Sequence, residues 1–517
     1  MALLRSIATI GGLTSVSRLF GFVRDILIAS ALGAGPVADA FFVALKFPNL
    51  FRRLFAEGAF TAAFVPIFAG VLETEGRDQA RAFAEQALSV LTLALLLFVT
   101  VMQIAMPLAM YGIAPGFAAS PEKFDLAVLF SRITFPYLLF ISMVSLMAGV
   151  LNSFGRFAAA AATPILLNLC LILAVVGVAP LTATPGHALA WGVAGAGVVQ
   201  FLWLLVACAR AGIRLRLPWP RLTPRVRLLM RRALPVAIGA GIYQINLLID
   251  TVIASLLPSG SISYLFYADR VNQLPLGIVG VAVGTALLPL LSRQVRGGHD
   301  EAALHSQNRA LEFAFLLTLP AAAALIVIAS PVISVLFERG EFGAAEARAT
   351  AAALSAYATG LPAYVLAKTL TPGYYAREDT ATPVKIAVLT TMVNLVLNLI
   401  LMGPFQYVGI AIATSVSSWI NAGLLALVLR RRGFLAIDAR LRRRLPRMVL
   451  ASFAMAAVLV AVHAGLAGWL TGGPTQRVVA LATLILTGMA VFAAVAQLTG
   501  AAGLRDLRGL MRGRDAA

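Results

Sequence analysis

Runs of twenty or more mostly apolar residues recur from one end of this 517-residue chain to the other. A helix needs about 20 such residues to cross the hydrocarbon core of a bilayer. With 60% apolar and 12% charged residues, the chain is expected to be an all-α polytopic membrane protein. Apolar length and helix breakers divide it into fourteen transmembrane helices, running roughly 3–31, 36–71, 79–111, 123–151, 157–180, 187–210, 227–257, 262–295, 305–338, 344–373, 383–402, 405–430, 445–470 and 475–500. The first, second, seventh and eighth are less apolar than the rest because they carry polar residues. No cleavable signal peptide is expected. The first run holds Arg18, Arg24 and Asp25 and lacks a short uniform apolar core with a small-residue cleavage site.

The loops set the orientation. Arg210, Arg214, Arg216, Arg221, Arg225, Arg227, Arg231 and Arg232 crowd one loop with no acid among them. A second cluster runs from Arg430 to Arg447, and the tail adds Arg505, Arg508, Arg512 and Arg514. Leu257–Ile262 and Leu401–Gln406, on the other side, hold no Lys or Arg. The positive-inside rule then places the Arg-rich loops and both termini in the cytoplasm, as an even number of spans requires. The formal charge of +19 is thus read as topology and attraction to anionic lipid, not as nucleic-acid binding.

The long Arg210–Arg232 loop divides the chain. Two pseudo-symmetric six-helix lobes are expected, at 1–212 and 213–432, with two C-terminal helices and a basic tail at 433–517. Parallel repeats of this kind place a transporter's substrate site between the halves. A faint echo supports them: Ala40-Phe41-Phe42 and Ala63-Phe64-Val65-Pro66 recur 223 residues later as Ser263-Tyr264-Leu265 and Ala286-Leu287-Leu288-Pro289.

Charge within the apolar runs narrows the function. A charge at bilayer depth costs at least ~2.5–3.5 kcal/mol on insertion scales, so it faces a wet cavity or a partner. The first span carries Arg18, Arg24 and Asp25; the second carries Asp39, Lys46, Arg52, Arg53 and Glu57; the eighth carries Asp269 and Arg270. Arg18 and Asp25 share a helix face, seven residues apart, as do Asp39 and Lys46. Arg53 and Glu57 are i,i+4 neighbours able to pair. Mutual neutralisation accounts for Arg53–Glu57 and for Asp39–Lys46. Yet six cations face four acids, which leaves an excess suited to an anion. A guanidinium fork donates two parallel hydrogen bonds to phosphate at any physiological pH. A pyrophosphate would satisfy several such forks better than one carboxylate would.

A second cluster is polar but nearly uncharged. Asp250 follows Tyr243, Gln244 and Asn246; Asn394 and Asn398 share a face; Thr414, Ser415, Ser417 and Ser418 lie further on. Two readings stay open. Oxygen ligands suit a hard cation such as sodium, and the same residue types make ordinary hydrogen bonds between membrane helices. Elsewhere the chain is quiet. Cys170 and Cys208 sit in apolar runs, the four histidines have no ligand spacing, and no Gly-rich phosphate loop ending in Lys-Ser/Thr occurs. No convincing set of acids would hold magnesium for a phosphotransferase. No cofactor is therefore required.

The run Ser17-Arg18-Leu19-Phe20-Gly21-Phe22-Val23-Arg24-Asp25 is followed by Asp39-Ala40-Phe41. Next comes Pro48-Asn49-Leu50-Phe51-Arg52-Arg53-Leu54-Phe55-Ala56-Glu57-Gly58-Ala59-Phe60. With Ala268-Asp269-Arg270-Val271 and Tyr375-Ala376-Arg377-Glu378-Asp379-Thr380-Ala381-Thr382-Pro383-Val384-Lys385, these segments resemble the MurJ (MviN) lipid II flippases. That family belongs to the multidrug/oligosaccharidyl-lipid/polysaccharide exporter superfamily. The resemblance covers essentially the whole chain. It implies fourteen helices, the last two forming a lipid-facing groove. It also implies flipping of lipid II, a peptidoglycan precursor on undecaprenyl pyrophosphate, across a bacterial cytoplasmic membrane.

By matching motif, Arg18, Arg24, Arg52 and Arg270, with Arg53 beside them, would bind the pyrophosphate and sugar head. Asp25 and Asp39 would take part in gating, with Lys46, Glu57 and Asp269. The family's sodium site maps onto Asp250, Asn394, Asn398, Thr414 and the backbone carbonyl of Ile410. Asn398 departs from relatives that have aspartate there, which weakens the case for sodium and leaves proton coupling open. Gln273 replaces an acid found in some relatives and leaves the cavity more positive. The expected partners are lipid II, the bilayer and cell-wall synthesis enzymes, with the chain acting as a monomer. Membrane potential acting on the cavity's charge is the expected energy source for return of the empty carrier. The alternatives are an exporter of another anionic lipid-linked oligosaccharide or solute, a membrane enzyme acting on polyprenyl phosphates, and a scaffold for cell-wall enzymes.

Overall fold

Gly33 ends the first helix. Its backbone lies at φ +63°, and its N–H closes on the carbonyl of Ala29 at 2.8 Å. A residue without a Cβ stops a helix in this left-handed conformation at little cost. The chain restarts at Pro36, whose fixed φ and missing N–H suit the first helical position. The computed structural model describes residues 2–53 and 60–502, with side chains at 9–53, 60–236, 244, 248–277 and 287–502. The described residues form helices joined by turns and loops, and their one β element is an isolated bridge between Arg339 and Phe342. The all-α expectation holds.

The helices form two units. The first, Met1–Ser263 with Arg339–Phe342, contains α1 (Ala2–Leu32), α2 (Pro36–Phe51), α3 (Thr61–Glu75), α4 (Arg77–Ile113), α5 (Pro121–Thr134), α6 (Tyr137–Ser153), α7 (Ala158–Leu173), α8 (Pro185–Arg210) and α9 (Pro224–Ser255). Here α1 packs along α7, α2 on α5, and α6 and α7 on α8. A core of Phe64, Phe68, Phe83, Leu146 and Val150 joins α3, α4 and α6. Thr223 caps α9 by accepting the Val226 N–H.

The second unit, Tyr264–Glu338 with Gly343–Ala517, contains most of α10 (Ser261–Arg296) and α11 (Asp300–Val327), α12 (Ala329–Phe337), α13 (Ala344–Ala358), α14 (Leu361–Tyr375), α15 (Ala381–Arg431), α16 (Ala439–Gly465), α17 (Ala467–Leu470) and α18 (Pro474–Leu498). Within it α11 packs on α14 and α16, α14 on α15, and α16 on α18. The long α15 is two helices joined at Gln406, whose φ of 50° and ψ of −131° break the helical path. The sequence places a charge-free loop at Leu401–Gln406, and the break falls at its end.

Eight helices among the described residues are long and apolar enough to cross a membrane. The other expected spans, at 3–31, 36–71, 227–257, 262–295 and 344–373, are not among the eight, and the first four include residues or side chains outside the described set. Four of them carry the charged and polar residues discussed above, and the last is divided into α13 and α14. Large apolar side chains face outward on the membrane helices, Ile104, Leu108 and Leu181 being three-quarters exposed or nearly so. In water such a surface would drive aggregation, whereas in a bilayer it contacts lipid.

Candidate functional site

In the first unit the charged residues sort into a neutral knot and a cationic remainder. Asp25 is buried in α1, and Arg24 beside it donates Nη2 and Nε to its Oδ1 at 2.6 and 2.9 Å. The remaining arm of Arg24 donates Nη1 to Asn168 Oδ1 in α7 at 2.8 Å. Asn168 in turn donates Nδ2 to the Ser17 carbonyl at 2.9 Å. Gly21 lets α7 approach closely, since a Cβ there would meet the Asn168 amide at 3.4 Å. The guanidinium of Arg24 is thus fixed by a carboxylate and an amide from two helices.

Arg18, two helical turns earlier, is exposed and has no hydrogen-bond or ion-pair partner among the described residues. The helix-face argument sets Arg18 against Asp25, but the structure gives Asp25 to Arg24. Two turns is about 10 Å along a helix, whereas adjacent side chains can meet by bending toward each other.

Asp39 also has a different partner from the one its spacing predicts. It is 1% exposed in α2 and pairs with Lys123 of α5, Oδ2 to Nζ 2.8 Å. Its oxygens further accept the Gly260 N–H at 2.8 Å, the Ser263 N–H at 3.0 Å and the Ser263 hydroxyl at 2.7 Å. Lys123 also donates to Ser259 Oγ and lies 4.2 Å from the Phe117 ring centroid. Lys46, the expected partner, is exposed and donates to Thr251 Oγ1 at 3.3 Å. Asp39–Lys46 neutralisation is corrected: α2 buries Asp39 against α5 and turns Lys46 away from it. Lys46 therefore counts as a cation that Asp39 does not offset.

Arg52 is half-buried and donates Nε to Asn49 Oδ1 one turn back at 3.0 Å, and Arg53 is exposed. The expected Arg53–Glu57 pair falls on Glu57, which lies outside the described residues. Asp250 is half-buried in α9 of this first unit.

In the second unit Arg270 stands over the Phe266 ring, 4.8 Å from its centroid. This cation–π contact helps to hold the guanidinium in place. Asp269 accepts a hydrogen bond from Gln273. The polar residues of α15 bond with one another: Asn398 Nδ2 to Asn394 Oδ1 at 3.1 Å, Asn394 Nδ2 to Ser417 Oγ at 3.3 Å, and Thr414 Oγ1 to the Ile410 carbonyl at 2.8 Å. None of these side chains is charged. Taken alone, the second unit's share of the expected sodium ligands is a set of neutral oxygen and amide groups joined by hydrogen bonds.

Two residues here were missed in the sequence. Lys123 lies near the start of a helix, where a lysine looks like a solvated end group. Asn168 is a lone amide in the apolar run Pro164–Cys170, and that isolation was its signal.

The family model described as lipid II flippase MurJ matches residues 28–487. A probable lipid II flippase MurJ of Rhizobium meliloti is 48% identical over 98% of this chain and 96% of its own length. The lipid II flippase MurJ of Burkholderia cenocepacia is 38% identical over 84% of this chain and 85% of its own. Among solved structures, lipid II flippase MurJ in an inward closed conformation aligns with a TM-score of 0.78 at 24% identity, over 96% of this chain and 99% of that one. An inward-facing MATE family multidrug transporter of the MOP superfamily aligns at 0.66 with 14% identity, over 80% of this chain and 94% of that one. These two structures share the fold.

Proposed function

We propose the following function for this chain, which belongs to the lipid II flippase MurJ family. It moves lipid II from the inner to the outer leaflet of a bacterial cytoplasmic membrane, for cell-wall synthesis. The protein is a transporter embedded in the membrane by its apolar helices. The Arg-rich loops and both termini lie on the cytoplasmic side, and the chain works as a monomer that supplies cell-wall enzymes with substrate.

The single observation that carries the reading is the uneven neutralisation of α1. Arg24 is matched by Asp25, while Arg18 on the same helix has no partner among the described residues. A pyrophosphate is the complement of that surplus, because it accepts bidentate hydrogen bonds from guanidinium groups. In each unit the cations perform the same task on their own helices. Arg18, Arg24, Arg52 and Arg53 bind the anionic head in the first, and Arg270 binds it in the second. Asp25, Asp39, Lys46, Glu57 and Asp269 exchange partners during gating. Asp25 must loosen its hold on Arg24 as phosphate arrives, and Asp39 is tied into Ser259–Ser263 by backbone and side-chain donors.

A coupling sodium ion would call on Asp250, Asn394, Asn398, Thr414 and the Ile410 carbonyl. No step of the transport is routed through it. Membrane potential acting on the surplus positive charge drives return of the empty carrier. Collapsing the potential without slowing flipping would remove that part of the proposal.

The test is head-group translocation in reconstituted vesicles. Arg24→Ala and Arg270→Ala should each abolish or strongly slow it while the protein stays folded and inserted. Native rates in both variants would overturn the cationic site. A chemically altered lipid product would replace transport with catalysis.

A further inference from the structure

A separate groove lies wholly within the first unit. It measures about 780 Å³ and is walled by the first turns of α1, the end of α6, the start of α7 and the last turns of α8. Its walls are mostly apolar, with Leu13, Leu151, Ala162 and Val206 among them, and no acid lines it among the described residues. Two arginines do. Arg156 sits in the turn between α6 and α7, and Arg210 is the last residue of α8. Both are exposed, and neither side chain has a hydrogen-bond or ion-pair partner among the described residues. Trp203 also lines the groove, 42% exposed, with its indole N–H on the Ala159 carbonyl at 3.0 Å.

We propose that this groove holds an anionic glycerophospholipid of the leaflet next to the Arg210–Arg232 loop, its phosphate on Arg156 and Arg210 and an acyl chain along the apolar wall. The argument is charge complementarity joined to position. Two unmatched guanidiniums with no acid between them are a site for a phosphate anion. An apolar trough descending from them between membrane helices suits a chain that already lies in the hydrocarbon. Basic pockets between membrane helices on the positively charged side take anionic head groups in this way. The rival is that both arginines simply reach up to the membrane surface, in which case lipid charge makes no difference inside the trough. The groove lies apart from Arg18, Arg24 and Arg52, none of which lines it, so the proposal stands or falls independently of the transport site.

Trp203 is a built-in reporter. The full-length protein is reconstituted in vesicles carrying brominated phosphatidylglycerol or brominated phosphatidylcholine at equal mole fraction. The Trp203 signal is isolated by subtracting a Trp203→Phe protein in each arm. Brominated phosphatidylglycerol should quench Trp203 at a roughly 25-fold lower mole fraction than brominated phosphatidylcholine does, about fivefold for each arginine. Arg156→Gln and Arg210→Gln should each weaken that preference roughly fivefold, and the double variant should abolish it. Arg214→Gln, in the same loop but outside the groove, should leave it intact.

Equal quenching by the two lipids would overturn the proposal. So would a preference that survives the double variant, or one that Arg214→Gln reduces as much as Arg210→Gln does. Displacement of the brominated phosphatidylglycerol by an equal mole fraction of undecaprenyl pyrophosphate would assign the groove to cargo and overturn it as well.

Discussion

Asp39 and Lys123 stand 84 positions apart in the chain and 2.8 Å apart in the fold, with side chains 1% and 6% exposed. Removing two charges from water costs several kcal/mol per ion, and the pair holds only because other groups complete the bonding. Asp39 gains three such bonds from Gly260 and Ser263, and Lys123 gains one to Ser259. This knot ties α2 and α5 to the chain that leaves α9.

Lys123→Met should therefore cost about 3–5 kcal/mol of stability, because it strands a buried carboxylate. Its unfolding midpoint in detergent should drop well below that of the native protein. Adding Asp39→Asn should restore most of the loss, since the stranded charge is then gone. A single variant as stable as the native protein would show that Asp39 does not depend on Lys123.

Asn168→Ala should slow head-group translocation without removing any charge. Arg24 loses its amide anchor in α7, a hydrogen bond to a charged group that contributes about 1.5–3 kcal/mol. If that positioning serves binding, the loss is on the order of 10–100-fold in affinity for the anionic head. Asn168→Asp should not rescue, because a second carboxylate competes with the substrate for the same guanidinium. Unchanged flipping in Asn168→Ala would make the anchor irrelevant to transport.

Glu312 is a structural counterpart in the second unit. This buried carboxylate of α11 accepts from Arg309 in its own helix and from Arg440 and Arg444 at the start of α16. Glu312→Gln should destabilise the protein by about 3–5 kcal/mol, by leaving three guanidiniums crowded together. Arg440→Gln on the same background should recover part of the loss, as read by the unfolding midpoint. No recovery would mean that the lost stability came from packing and not from charge.

The loop between α14 and α15 should lose stability in acid. Asp379 accepts from the backbone N–H of Thr382 at 2.9 Å and pairs with Arg432, and these contacts, the Thr382 bonds foremost, hold its carboxyl down at about 2. The unfolded chain has the ordinary value of 3.8. A carboxyl lowered by folding stabilises the fold fully above its unfolded value and loses that contribution as pH falls through its folded value. The stability advantage of the native protein over Asp379→Asn should thus be constant above pH ~5 and shrink between about pH 4 and about pH 2. Midpoints compared across that range check it, and an advantage independent of pH would show that the contacts do not need the ionised form.

Much of this was legible from residue order. The apolar runs require membrane helices, and the motif from Pro48 to Phe60 carries the family resemblance. Gly33-Ala34-Gly35-Pro36 marks the joint between α1 and α2. The charge-free stretch at Leu401–Gln406 marks the break in α15.

The pairing of charges was not legible. Helical spacing relates residues only to neighbours on their own element, through i,i+3, i,i+4 and i,i+7 positions. It set Asp25 with Arg18 and Asp39 with Lys46. In the fold Asp25 holds Arg24, which Asn168 steadies from another helix, and Asp39 holds Lys123. The residue order alone determined that the protein lives in a membrane, which family it resembles and which helices carry charge, because those properties are local sums of hydropathy and motif. Which carboxylate silences which cation was decided only by tertiary structure. A buried ion pair is chosen by the few ångströms between packed helices, and that distance depends on the whole fold.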